Sequence, residues 1–262
     1  MKFDFKLFLN GIIMGFADVL PGISGATVAV LLNFYEKFIH SWDYVVKNLF
    51  KKRMFSKELL FLANLYTGVL VGIFLFSKLM KIMLNNYKSE IYALIVGLIA
   101  ISGLLIINKN KKIFKGIKNY YFMLLGLLAG VLTGIISLNI NNHSNFILFI
   151  SGFLAMCAML LPGISGSYVL VMLNQYETVI SLINELSLRF LYFIIGIALG
   201  LVVMIKIIKV LLKNYHKETL SFIIGLIFGG LYLPISFMKF NLSSIIFLLI
   251  GISVGLFTKK LE

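Results

Sequence analysis

Residues 16–39 read FADVLPGISGATVAVLLNFYEKFI, and residues 157–180 read CAMLLPGISGSYVLVMLNQYETVI. Aligned without a gap, 14 of the 24 positions are identical, among them Pro21/Pro162, Gly22/Gly163, Ser24/Ser165, Gly25/Gly166, Asn33/Asn174, Tyr35/Tyr176 and Glu36/Glu177. Proline removes an amide donor and its ring clashes with a continuing helix. Gly22 and Gly25 let the backbone turn or approach a ligand closely. Ser24 is placed to cap a new helix, and a helix from Ser24 to about Phe38 would span only about 22 Å, too short to cross the hydrocarbon core. Such a break must line a cavity or be buried in protein, because exposed amides are intolerable in lipid. A duplicated break of this kind is where a binding site is built in a membrane protein.

The membrane assignment rests on composition. Of the 262 residues, 60% are hydrophobic and 13% charged, and the mean hydropathy is +1.01; a soluble domain has about 45–50% apolar residues and about a quarter charged. Eight apolar segments are separated by short Lys-rich connections, so the chain reads as an all-α polytopic membrane protein without a soluble domain. The first segment runs into the motif with no small-residue exit, unlike a cleavable signal peptide. The net charge of +14 falls in the connections, a pattern of membrane orientation and attraction to anionic lipid, with no nucleic-acid partner expected. The single Cys157 reads as a packing residue.

The two halves match beyond the motif: Gly68/Gly196, Gly72/Gly200, Tyr87/Tyr215, Glu90/Glu218 and Gly97/Gly225 share an offset of 128. This divides one membrane domain into repeats 1–140 and 141–262. If the motif segment crosses the membrane, each half has four spans; if it dips in and returns, each has three and the halves are inverted. Eight crossings divide the cations nearly evenly, 13 against 11, whereas the re-entrant arrangement puts 19 Lys/Arg inside and five outside. The positive-inside rule therefore selects inverted repeats, each a re-entrant hairpin broken at PGISG plus three transmembrane helices, with both termini cytoplasmic. The glycines spaced four apart read as close helix packing.

Amides at the breaks suit an anion such as phosphate. The breaks offer backbone and hydroxyl groups at Gly22, Ser24 and Gly25, and at Gly163, Ser165, Gly166 and Ser167 in the second copy. Asn33/Glu36 and Asn174/Glu177 follow on one face of the same helix, and the symmetric carboxylates suggest coupling to a proton or sodium ion, or headgroup gating. Asp18 is matched only by Met159 and marks an asymmetric site. Arg53 and Arg189, the only arginines, are further phosphate candidates. The three histidines have no ligand-like spacing, so neither a metal nor a cofactor is expected.

These paired segments resemble the duplicated signature of the domain-of-unknown-function family numbered 368, associated with PopT-type undecaprenyl phosphate translocases. The resemblance covers essentially the whole chain, and the binding residues it implies are Pro21, Gly22, Ser24, Gly25, Thr27, Asn33 and Glu36, with Pro162, Gly163, Ser165, Gly166, Asn174 and Glu177. It implies a bacterial plasma-membrane protein that returns undecaprenyl phosphate, the C55 carrier of cell-wall polymers, from the outer to the inner leaflet. Thr27 is replaced by Tyr168 in the second copy, which breaks any symmetric role for that hydroxyl. Undecaprenyl pyrophosphate phosphatases carry a similar string, PGISRSGAT, but its arginine is missing from both copies here, as is a cluster of two glutamates with a histidine. A transporter is therefore expected in place of an enzyme, with transport of a soluble anion as the other alternative.

Overall fold

The computed structural model describes residues 3–19, 24–48, 56–109, 111, 116–136, 138 and 140–258. Among these residues the chain is helical, without strands. The first half contains α1 (Phe5–Val19), α2 (Gly25–Leu31), α3 (Tyr35–Asn48), α4 (Lys57–Asn86), α5 (Lys88–Lys109) and α6 (Ile117–Ile135). The second contains α7 (Asn145–Leu160), α8 (Gly166–Met172), α9 (Tyr176–Asn184), α10 (Phe190–Asn214), α11 (His216–Gly230), the short α12 (Tyr232–Ser236) and α13 (Leu242–Thr258). Five stretches are long and apolar enough to cross a membrane: Lys57–Ser77, Lys88–Asn108, Ile117–Ile135, Phe190–Asn214 and His216–Ser236. The protein is a multi-pass membrane protein. Leu242–Leu256 and Asn145–Leu160 are apolar but shorter.

Sequence repeats become repeated geometry. Helices α4 and α5 are joined by Tyr87 alone, φ −134° and ψ 38°, and α10 and α11 by Tyr215, φ −134° and ψ 47°. After each broken segment the expected single helix is interrupted a second time. Helix α2 ends at Leu31 and α8 at Met172, each followed by an asparagine in the left-handed region, Asn33 at φ 58° and Asn174 at φ 55°. Around Asn33 the N–H of Phe34 reaches the Ala29 carbonyl and that of Asn33 the Val30 carbonyl; Gln175 to Leu170 and Asn174 to Val171 repeat both bonds. This is a Schellman ending, which asparagine tolerates better than any β-branched residue. The continuous helix from Ser24 to Phe38 is thus corrected to two helices with a sharp turn between them. Asn33 and Glu36 therefore share no helix face.

Glycine decides how the long helices meet. A Cβ on Gly68 would lie 2.1 Å from the Phe8 carbonyl oxygen, and one on Gly72 2.4 Å from that of Ile12, so α1 and α4 touch backbone to backbone and run parallel. Gly196 against Phe149 and Gly200 against Phe153 set α7 and α10 in the same way. The other pairs exchange partners between halves. Gly225 meets Met123 and Gly229 meets Leu127, which lays α11 along α6; Ser89 meets Ser244, Leu94 meets Gly251 and Ile101 meets Gly255, which lays α13 along α5. Both pairs are also parallel. In lipid, where association depends on close packing, glycine faces of this kind supply the contact. The largest buried cluster joins α1–α5 to Leu160, Ile205, Ile223 and Ile227, so one core draws on both halves of the chain.

Candidate functional site

The ends of the two broken segments meet. Ser24 is the N-cap of α2, its hydroxyl accepting the Thr27 N–H at 3.3 Å. The same hydroxyl donates to the Leu161 carbonyl of the second segment at 3.4 Å. Thr27 Oγ1 in turn accepts the Gly163 N–H at 2.8 Å, and the Tyr35 hydroxyl donates to the Leu160 carbonyl at 2.9 Å. Ser24 and Thr27 are 1% and 2% exposed, so these are buried polar contacts in an apolar surround. The Leu161 carbonyl also accepts the Ile164 N–H, whereas Thr27 and Tyr35 satisfy backbone groups at the second break from across the fold. Of the first motif, Pro21 and Gly22 lie outside the described residues.

The two breaks are chemically unequal. In the first, the Asp18 carboxylate accepts the Gly25 N–H at 2.6 Å. In the second, Met159 takes that place, its Cβ beside Gly166. Ser165 makes no side-chain cap and pairs instead with the Ser167 hydroxyl at 2.9 Å. Tyr168 donates to the Gly134 carbonyl at 3.1 Å, reaching across to α6. Gly163 sits at φ +91°, and its backbone crosses α11 so closely that a Cβ would fall 2.4 Å from the Leu226 carbonyl oxygen. Two cavities share Gly163 and Gly230. One is lined by the hydroxyl-bearing Thr133, Ser165 and Tyr168, and the other by the apolar Ile99, Ile227 and Leu231 together with Thr27.

The remaining expected residues disperse. Glu36 is exposed at the start of α3, its carboxylate 3.8 Å from His216 Nε2; Glu177 is exposed at the start of α9. Arg189 donates to the Asn145 side chain at 3.0 Å and to the His143 carbonyl, holding the segment that leads into α7. Asn174 bonds Asn141 at 2.9 Å in that same segment. Arg53 lies outside the described residues. Pro162 is buried at the break itself. Among the described residues no three of His, Cys, Asp and Glu gather into a metal-holding group.

Three side chains that sequence reasoning passed over are prominent. Gln175, fully buried, donates to the carbonyls of Ile140 and Asn142 while its Oε1 lies 3.1 Å from His143 Nδ1. Asp43 of α3, 4% exposed at its side chain, pairs with Lys47 at 2.9 Å and with Lys209 of α10. Burial works against the Asp43 charge, but the two lysines outweigh it and hold its carboxyl below the usual range. The i,i+4 spacing of Asp43 and Lys47 was visible in the sequence. Lys209, 166 residues away from Asp43, carried no such signal.

Residues 14–243 match the family described as VCA0040-like, undecaprenyl phosphate translocase-like. A polyprenyl-phosphate transporter of Vibrio cholerae is 32% identical over 233 residues, covering 86% of this chain and 75% of that protein. A polyprenyl-phosphate transporter of Staphylococcus aureus is 29% identical over 288 aligned positions, covering 100% of this chain and 99% of that protein. No solved structure matches. With most of its length matched, both broken segments included, this chain belongs to the undecaprenyl phosphate translocase-like family.

Proposed function

We propose that the protein is a bacterial inner-membrane transporter that moves undecaprenyl phosphate from the outer to the inner leaflet, and does not hydrolyse it. The observation that carries this reading is the meeting of the two PGISG segments through Thr27 and Gly163. A lipid phosphate carries one to two negative charges, and taking it through hydrocarbon unpaired is prohibitive. Paired breaks bring hydroxyls and backbone N–H groups to one place, where they satisfy one another or Asp18 and would turn to the phosphate as the segments part, while the prenyl tail stays in lipid. The hydroxyl-lined cavity beside the second break and the apolar one next to it each have room for about one water in this conformation, so a headgroup would enter only as the two segments part. Both relatives are named transporters, and neither motif copy holds the arginine of the phosphatase string.

We read the two halves as inverted repeats with re-entrant hairpins, and helix directions support this. Because α1 runs parallel to α4, the chain between them must return to the side from which α1 started. The seven residues between α5 and α6 reach at most about 28 Å, short of the roughly 33 Å length of α5, so two spanning helices so linked run antiparallel. With α13 parallel to α5 and α11 parallel to α6, the repeat-related α5 and α11 point in opposite directions. Contacts agree as well. Lys118–Glu218, Asp43–Lys209 and Ser89–Lys239 each join residues that the re-entrant scheme puts on one side and eight crossings would separate.

The test is translocation in liposomes. The protein should speed outward-to-inward movement of a labelled polyprenyl phosphate. Failure there combined with transport of a soluble anion would reject the lipid reading, and release of phosphate from undecaprenyl pyrophosphate would make it an enzyme.

A further inference from the structure

Asp18 is the carboxylate that the site described above leaves unexplained. Of the ten acidic residues in the chain, it alone lies inside an apolar stretch of the motif, on α1 one residue before the helix ends. Its one assigned partner is the Gly25 N–H at 2.6 Å. Among the described residues, no Lys, Arg or His comes within ion-pair distance of it. From α4, the ionisable group that senses its charge is Tyr66, whose hydroxyl accepts the Trp42 indole N–H at 3.2 Å. From α2, the group that meets it is the Gly25 amide, and the hydroxyls of Ser24 and Thr27, which do not titrate, are engaged with the second segment. The second half has Met159 at the corresponding position, so the device occurs once per chain.

A lone ionised carboxylate at a headgroup site works against an arriving phosphate, since like charges in a poorly solvated space disfavour each other. Protonation removes that charge and weakens the carboxyl's hold on the Gly25 amide. We propose that Asp18 is a proton-coupling site: it takes up a proton as the lipid phosphate enters and releases it when the lipid leaves. The step forms an O–H bond on a carboxylate oxygen as an O–H bond of hydronium breaks to leave water, the reverse occurs on release, and nothing is oxidised or reduced. Sodium fits less well, because the neighbour that Asp18 engages is an N–H donor, which would repel a cation. Linkage is reciprocal, so a proton that follows the lipid onto the protein must also tighten lipid binding as the proton concentration rises.

This inference rests on the lipid-phosphate reading, and the experiment separates the two. Full-length protein in nanodiscs is titrated with a short-chain polyprenyl phosphate by calorimetry in two buffers of different ionisation heat, with sodium or choline as the salt. Wild type should take up about one proton more per lipid bound than Asp18→Asn, and Asp18→Glu should retain that uptake, in either salt. Infrared difference spectra of wild type should gain a protonated-carboxyl band on lipid addition, so the result does not depend on Asp18→Asn folding. Equal uptake in wild type and Asp18→Asn, sodium-dependent binding that Asp18→Asn abolishes, or no carboxyl band in wild type overturns the proposal while leaving lipid binding intact. Failure of wild type to bind the lipid at all rejects the headgroup site and the coupling together.

Discussion

Thr27 of the first PGISG segment holds Gly163 of the second: its hydroxyl oxygen accepts the Gly163 backbone N–H at 2.8 Å, across 136 residues of sequence. The replacement of Thr27 by Tyr168 in the second copy therefore changes what the hydroxyl holds. The first hydroxyl bridges the two breaks, and the second turns away to the Gly134 carbonyl.

Thr27→Val keeps the shape and removes the acceptor. A buried amide left unpaired costs about 1–3 kcal/mol, so the variant should unfold at lower temperature in detergent, and Thr27→Ser should recover most of the loss. Equal melting of Thr27→Val and wild type would show that the bond contributes nothing.

Glycine contacts between parallel helices should be intolerant of a single methyl. A Cβ at Gly225 would lie 2.0 Å from the Met123 carbonyl oxygen, whereas one at Gly116 meets only the Asn119 side chain at 3.7 Å. Gly225→Ala should destabilise by about 1–3 kcal/mol or more, against less than about 1 kcal/mol for Gly116→Ala. Denaturation of the two variants side by side checks the contrast.

Acid should reveal the Asp43–Lys209 pair. The Asp43 carboxyl is held below the ordinary range, so the folded state favours its ionised form. The stabilisation is then complete above the unfolded value of about 4 and is lost as pH falls through the lower folded value. Wild type should exceed Asp43→Asn in stability at neutral pH, and the gap should close in acid. Trp42, the single tryptophan, lies on the same helix and reports unfolding by fluorescence.

Sidedness is open to chemical labelling. With Cys157 replaced by alanine, Lys47→Cys and Arg189→Cys should react from opposite faces of the membrane in the re-entrant arrangement. Reaction of both from the same face would restore eight crossings.

Much of this architecture was legible because apolar runs, glycine spacing and charge placement are local properties of the chain. The duplicated PGISG string marked both helix breaks, and Gly68/Gly72 and Gly196/Gly200 marked the faces on which α1 and α7 rest. The second interruption was missed because Asn33 sits amid good helix formers, and its left-handed backbone is visible only through the paired bonds of Phe34 and Asn33. Partners distant in sequence were hidden for a different reason. Nothing in the composition near Asp43 points to Lys209, and nothing near Thr27 points to Gly163. Arg189 reads as an anion ligand in the sequence, and its contacts with the His143 carbonyl and the Asn145 side chain were not legible there, since an arginine in a connection carries no mark of its partners.

The exchange of partners between halves also governs how the protein is made. Helices α5 and α6 leave the ribosome before α11 and α13 exist, so their glycine faces enter the bilayer uncovered. Whatever order insertion follows, the first half cannot finish folding on its own. A chain truncated after residue 140 should be a client for membrane quality control, and separately expressed halves should stabilise each other on meeting in the same membrane.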